Sequence, residues 1–170
     1  MADQVPEIRV LGLERVEALL DTAAIKSMNL EPVLGGPISK SITQFYRRMF
    51  ASRGEAGGER WAPLRPLTLA LKARYGRETM GMLRFSNRLW ASLTKRGGVG
   101  SVRIVRPHYL EQGTTLPEAR WAQLGFNSTT IFGRPRSQPR HVAPRRLVPR
   151  RLPSALVLAW TTLIARYVEP

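Results

Sequence analysis

GERWAPLRPLTLALKARYGRETMGMLRFSNRLWASL, residues 58–93, is the stretch on which the fold turns. Trp61, Pro63 and Leu64 follow a glycine-bearing loop, Thr68 and Lys72 sit in a short basic segment, and Met82, Leu83, Leu89, Trp90 and Leu93 form a second apolar cluster. This order predicts a loop whose Trp61 plugs back into the core. A short helix then starts at Pro66-Leu67-Thr68 and runs to about Tyr75, where Gly76 stops it. A turn over 77–81 follows, and then a helical segment over 83–93 that ends at Arg96-Gly97-Gly98.

Upstream, Ile38, Ile42, Phe45, Met49 and Phe50 recur at helical spacing, with Lys40, Ser41, Gln44, Arg47 and Arg48 on the other side. This predicts a helix over 37–52, opened by Pro37, whose missing N–H has no partner in a first turn. Before it, residues 25–36 read as a connection closed by Gly35-Gly36-Pro37. Leu13, Val16, Leu19 and Leu20 mark a helix over 13–24, and Ile8 to Leu13 a short opening strand. Downstream, Val102 and Ile104 mark a strand over 99–106, which 108–112 extends. A turn over 113–117 leads to a short helical or extended piece over 118–124. Leu156, Trp160, Leu163, Ile164 and Tyr167 define a last helix capped by Ser154. The fold class expected is α+β, a small, mostly antiparallel sheet packed by helices. One domain is expected, with a core over 1–125, an extended Arg/Pro-rich arm over 126–153, and a C-terminal helix over 154–170.

A chain of 170 residues with 43% apolar content can build such a core. It contains no cysteine, which excludes disulfides, thiolate metal sites and cysteine nucleophiles. The acidic N-terminus lacks the apolar core of a signal peptide, and the apolar run ALVLAW is far short of a membrane span, so a soluble protein without membrane partners is expected. Charge is uneven. Residues 1–50 hold six acids and six bases, whereas residues 51–170 hold six acids and 21 bases, within a net charge of +15. Such asymmetry favours an acidic partner: nucleic acid, an acidic protein surface or a membrane.

Catalytic chemistry has little to stand on. The histidines are His108 and His141 and the aspartates Asp3 and Asp21, with no nucleophile-elbow motif to gather them. No cluster has metal-ligand spacing, and Gly97-Gly98-Val99-Gly100 lacks the context of a phosphate loop. Glu111 and Glu118 read as surface carboxylates. No catalytic, metal or cofactor site is expected, and the chain reads as a non-enzyme. Trp61, Trp90, Trp121 and Trp160 read as core packing rather than as stacking platforms for bases.

Residues 126–153 lack an apolar period and combine Arg134, Arg136, Arg140, Arg145, Arg146, Arg150 and Arg151 with Pro135, Pro139, Pro144, Pro149 and Pro153. Proline at this density forbids a helix and a central strand, so an extended excursion is expected. It reads as an assembly arm, with a phosphate-neutralising tail and a solvated loop as the alternatives.

The order G-x-x-W-x-P-L, T-x-x-x-K and L-x-x-S-x-x-L-W-x-S-L, carried by Trp61, Pro63, Leu64, Thr68, Lys72, Leu83 and Leu89, resembles the phage virion morphogenesis family, the Mu-type tail completion and head–tail joining proteins. Glu118 to Gly125 matches that family's Y-A-x-x-H-Q-x-G at Ala119, Gln123 and Gly125, with Glu118 and Ala122 in place of the aromatic and the His. Val148 to Pro153 is a looser match to its I-P-A-R-P-F-L. The resemblance implies a bacteriophage structural protein of the virion, assembled in the host cytoplasm, that forms a homo-oligomeric ring at the neck and lets tail join head. Its implied partners are neighbouring neck, connector or tail-tube proteins, with non-specific contact to the double-stranded DNA that crosses the junction. The competing reading is a basic nucleic-acid-binding protein using the arm and the exposed face of the 37–52 helix.

Overall fold

The computed structural model describes residues 13–131 and 134–169, with side chains over 15–128 and 141–169. The opening strand expected over 8–13 lies almost wholly outside these. Helix α1 (Leu13–Met28) continues a turn past its expected end and packs against the last helix of the chain. The expected connection before Pro37 is instead helical. A turn α2 (Glu31–Val33) runs through a π-widened turn at Leu34–Ile38 into α3 (Ser39–Ala51). Pro37 therefore lies inside a helical run rather than at its start. A proline here supplies no N–H and its ring crowds the carbonyl four residues back, and a π turn is one way a helix absorbs that conflict.

α3 is the centre of the molecule. Phe45, Tyr46, Met49 and Phe50 are buried, and the buried cluster takes in Trp61, Met82, Leu89, Leu93, Ala122, Leu147 and Leu156 from six later segments. The Phe, Met and Leu side chains among them each contribute about 1.5–3 kcal/mol by leaving water. The helix ends where Arg53 and Gly54 turn left-handed (φ 54° and 96°), Gly54 N–H donating to Met49 O at 2.9 Å. A Cβ at Gly54 would stand 2.4 Å from Glu59 O and 2.6 Å from the Trp61 ring. The tight reversal is what carries Trp61 back onto Phe50, edge to face at 5.6 Å.

α4 (Pro66–Arg74) forms where expected. The segment over 83–93 forms a helix only from Arg88 to Thr94 (α5), because Leu83 and Asn87 take positive φ (58° and 57°), which no α-helix accommodates. Beyond it, β1 (Ser101–Arg106) is not extended by the residues that follow. The chain reverses at Pro107-His108, and β2 (Tyr109–Thr114) pairs back antiparallel in unbroken register from Ser101↔Thr114 to Arg106↔Tyr109. This hairpin lies against α5 and α3.

After α6 (Pro117–Leu124), the Arg/Pro-rich stretch holds structure of its own. β3 (Phe126–Ile131) and β4 (Arg134–Val142) form a second antiparallel ribbon, with a register break between Ser128 and Thr130. Two strands suffice to place Pro135 and Pro139 because each strand has an edge with no ladder to serve. Only residues 143–153 run as extended chain before α7 (Ser154–Val168). Ser154 is the first helical residue, and no side-chain hydrogen bond caps it. The fold is α+β, its strands in two small antiparallel pairs rather than one sheet.

Candidate assembly surface

The seven arginines of the Arg/Pro stretch fall into three environments. Arg134, Arg136 and Arg140 are on β4. Arg150 and Arg151 are exposed. Arg145 and Arg146, between them, are built into the body. The Arg145 backbone N–H donates to Ala122 O at 2.6 Å, and its guanidinium donates to Ala62 O (3.2 Å) and Pro63 O (3.3 Å). Burial lowers the Arg145 pKa, and the Arg65 charge lowers it further. Arg146 donates to both carboxylate oxygens of Glu59 at 3.0 and 2.7 Å, while its carbonyl accepts from Trp61 Nε1 at 2.9 Å. Leu147, the next residue, is 4% exposed.

Three of the positions that carry the resemblance, Trp61, Pro63 and Gln123, help hold this segment. Gln123 Oε1 accepts the backbone N–H groups of Leu147 (2.9 Å) and Val148 (3.0 Å), and its Nε2 donates to Val148 O at 2.8 Å. One amide side chain thus does the work of a neighbouring strand, satisfying backbone groups of an extended segment that has no ladder. Gly125 turns with φ 73°, and a Cβ there would sit 2.5 Å from Val142 O, at the exit of the ribbon. Pro63 supplies one of the Arg145 acceptors, and Leu64, Leu83 and Ala119 pack on the buried cluster with Leu89 inside it. Thr68 is half-buried on α4. Lys72 is 3% exposed and donates through Nζ to Met80 O and to Gly81 O (2.9 Å), pinning the loop ahead of α5. Desolvation lowers its pKa, with a smaller push from Arg84.

Other candidates separate. Glu111 accepts the Tyr109 hydroxyl at 2.9 Å, and Glu118 lies 3.8 Å from Arg88. His108 is exposed, and His141 Nδ1 lies 3.2 Å from Asn127 Oδ1. Among the described residues no group of three or more His, Asp or Glu side chains converges as a metal site would require, and no helix is long and apolar enough to cross a membrane. Trp121 departs from the core reading: it is 51% exposed and lies against Phe126 at 6.2 Å. Trp160 donates through Nε1 to Ser41 Oγ at 3.0 Å, tying α7 to α3.

Two surface features were not marked by any run or motif in the sequence. Arg47, Arg53 and Arg84, from three separate places in the chain, line one cleft. Leu20, Ile25 and Met28 on α1 stand 64–70% exposed. The helical period of α1 was visible, but only packing shows how little of it is covered. Compared with known proteins, this chain matches no family model, no curated protein and no solved structure.

Proposed function

We propose that this chain is a non-enzymatic structural protein of a bacteriophage particle, a tail-completion or neck component that forms a ring and joins tail to head. The observation that carries the reading is how the signature positions spend their polar atoms. Trp61, Lys72 and Gln123 direct theirs at backbone carbonyl and amide groups, fixing loops and the 145–148 segment. Side chains used in this way hold a shape. What the described residues leave outward includes the exposed pair Arg150 and Arg151 and the exposed Leu20, Ile25 and Met28 of α1, which are means of contact with neighbours. The partners on this reading are further copies of the chain and the adjoining connector or tail-tube proteins, with DNA touched only through phosphate.

Particles made without the protein test this. Filled heads and separate, unjoined tails are expected, and the protein is expected at the junction of normal particles by immunogold labelling. Normal joined particles would overturn the reading. The nucleic-acid alternative gives a different signature, DNA binding that falls steeply with salt while particles assemble normally.

A further inference from the structure

The charge asymmetry of the chain has a spatial counterpart. Six of its twelve acids, but three of its 27 bases, lie at or before Glu31. Within that segment α1 presents Leu20, Ala24 and Met28 one turn apart on its outward side, beside a parallel row of Glu17, Asp21 and Ile25. All six are exposed. Neither Glu17 nor Asp21 has an ion pair among the described residues. The inward side of α1 is what meets α7, through half-buried Ala23 and through Lys26, whose Nζ donates to Glu169 O at 2.6 Å.

The opposite composition occurs at the far end of α3. A cleft of about 450 Å³ has Phe50, Met82 and Trp90 among its apolar lining and Arg47, Arg53 and Arg84 as its charges. No acid lines it. Glu78, the nearest acid along the loop, lines the adjoining pocket beside Lys72. The three guanidiniums have no ion pair among the described residues. Arg47 donates to Thr94 O at 3.3 Å and Arg84 to Asn87 Oδ1 at 3.0 Å. Arg84 and Lys95 already lie over the Trp90 ring, at 4.7 and 5.5 Å, which disfavours base stacking there.

We propose that the outward row of α1 from one copy docks in the arginine-lined cleft of the next, carboxylates of Glu17 and Asp21 meeting Arg47 and Arg53, and Leu20 entering over Phe50 and Met82. The two surfaces are different patches of one chain, so the contact is head-to-tail, the kind that propagates into a ring or filament rather than stopping at a dimer. It rests on the self-assembly reading above and names the contact that reading needs.

Charge swapping tests it, by light scattering at low salt. The wild type is expected to assemble, and less so in about 0.5 M salt, where exposed pairs are screened. Arg47→Glu with Arg53→Glu, and separately Glu17→Arg with Asp21→Arg, are each expected to lose association about a hundredfold, since like charges then oppose each other. An equal mixture of the two variants is expected to regain it. Should the wild type assemble and both variants assemble as well, this contact is overturned while ring formation stands. A wild type that stays monomeric throughout also overturns the contact, and leaves the particle experiment to judge the function. Because the chain has no cysteine, a second measurement avoids charge changes. Leu20→Cys and Ala51→Cys variants, mixed and oxidised, are expected to cross-link to each other, and absence of that product counts against the contact.

Discussion

Two neighbouring parts of the Arg/Pro-rich stretch, 126–142 and 145–148, both carry arginine and have opposite fates. The first pairs with itself as a ribbon, and among the described residues its ties to the body include Arg65 donating to His141 O at 3.1 Å and the Phe126 ring against Trp121 at 6.2 Å. The second pairs with nothing of its own kind and is held by Ala122, Trp61, Glu59 and Gln123. What separates them is where the backbone N–H and C=O groups find partners, since neither segment has an apolar period to bury. Basic charge is thus a poor guide to a free arm: Arg145 and Arg146 are fixtures, and Arg150 and Arg151, a few residues on, stay in solvent.

That contrast can be broken at its strongest tie. Trp61→Ala removes a 4% exposed ring and the donor to Arg146 O, and should cost about 3–5 kcal/mol in denaturant unfolding. A loss below about 1 kcal/mol would mean that the 145–148 segment does not depend on it. The same contrast between fixed and free cations reaches Lys72. Lys72→Met leaves Met80 O and Gly81 O without their donor, and about 1–3 kcal/mol should be lost. Burial holds the Lys72 pKa below 10.5, so the unfolded chain binds the extra proton. Lys72 therefore makes stability rise as pH climbs from its folded pKa toward 10.5, and that increment should vanish in Lys72→Met.

Gln123→Ala sharpens the comparison, since it releases three hydrogen bonds to an extended segment without opening the core. About 1–3 kcal/mol should be lost, with hydrogen exchange rising first at Leu147 and Val148. Arg146→Ala breaks a pair whose Glu59 side chain is 58% exposed, and should cost no more than about 1 kcal/mol. Smallest of all, Arg150→Glu with Arg151→Glu should stay within about 0.5 kcal/mol of wild type, because both side chains are exposed. A large loss at that last pair would erase the distinction between tied and free arginines.

Much of the helical half of the fold was legible: α3 and α7 each turn one face inward, which a 3.6-residue apolar period records directly, and α4 is bracketed by Pro66 at its start and Gly76 just past its end. Two places were not. Pro37 reads as a helix start by every local rule, yet the helix runs through it, because a π turn is a backbone adjustment that leaves no mark in side-chain pattern. Leu83 carries the right apolar spacing for α5, but it takes a positive φ just past the loop that Lys72 pins at Met80 O and Gly81 O, which side-chain spacing does not record. The candidate site divides in the same way. Trp61, Lys72, Gln123 and Gly125 could be named from the motif resemblance, but that Gln123 and Trp61 act on the 145–148 segment is visible only in three dimensions. The arginine-lined cleft has no local signature at all, since its three guanidiniums come from positions 47, 53 and 84.

The Arg145 N–H to Ala122 O bond, with Gly125 at the exit, closes a gate at the base of the ribbon. Everything between Gly125 and Arg145 leaves and returns at one point on α6. For the remainder of the molecule, that makes the ribbon a replaceable insert. The entropy of closing such a loop changes by only about 0.6 kcal/mol for each doubling of its length. A change of length within the ribbon, away from its ends at Phe126 and His141 where it touches Trp121 and Arg65, is therefore expected to cost the body little.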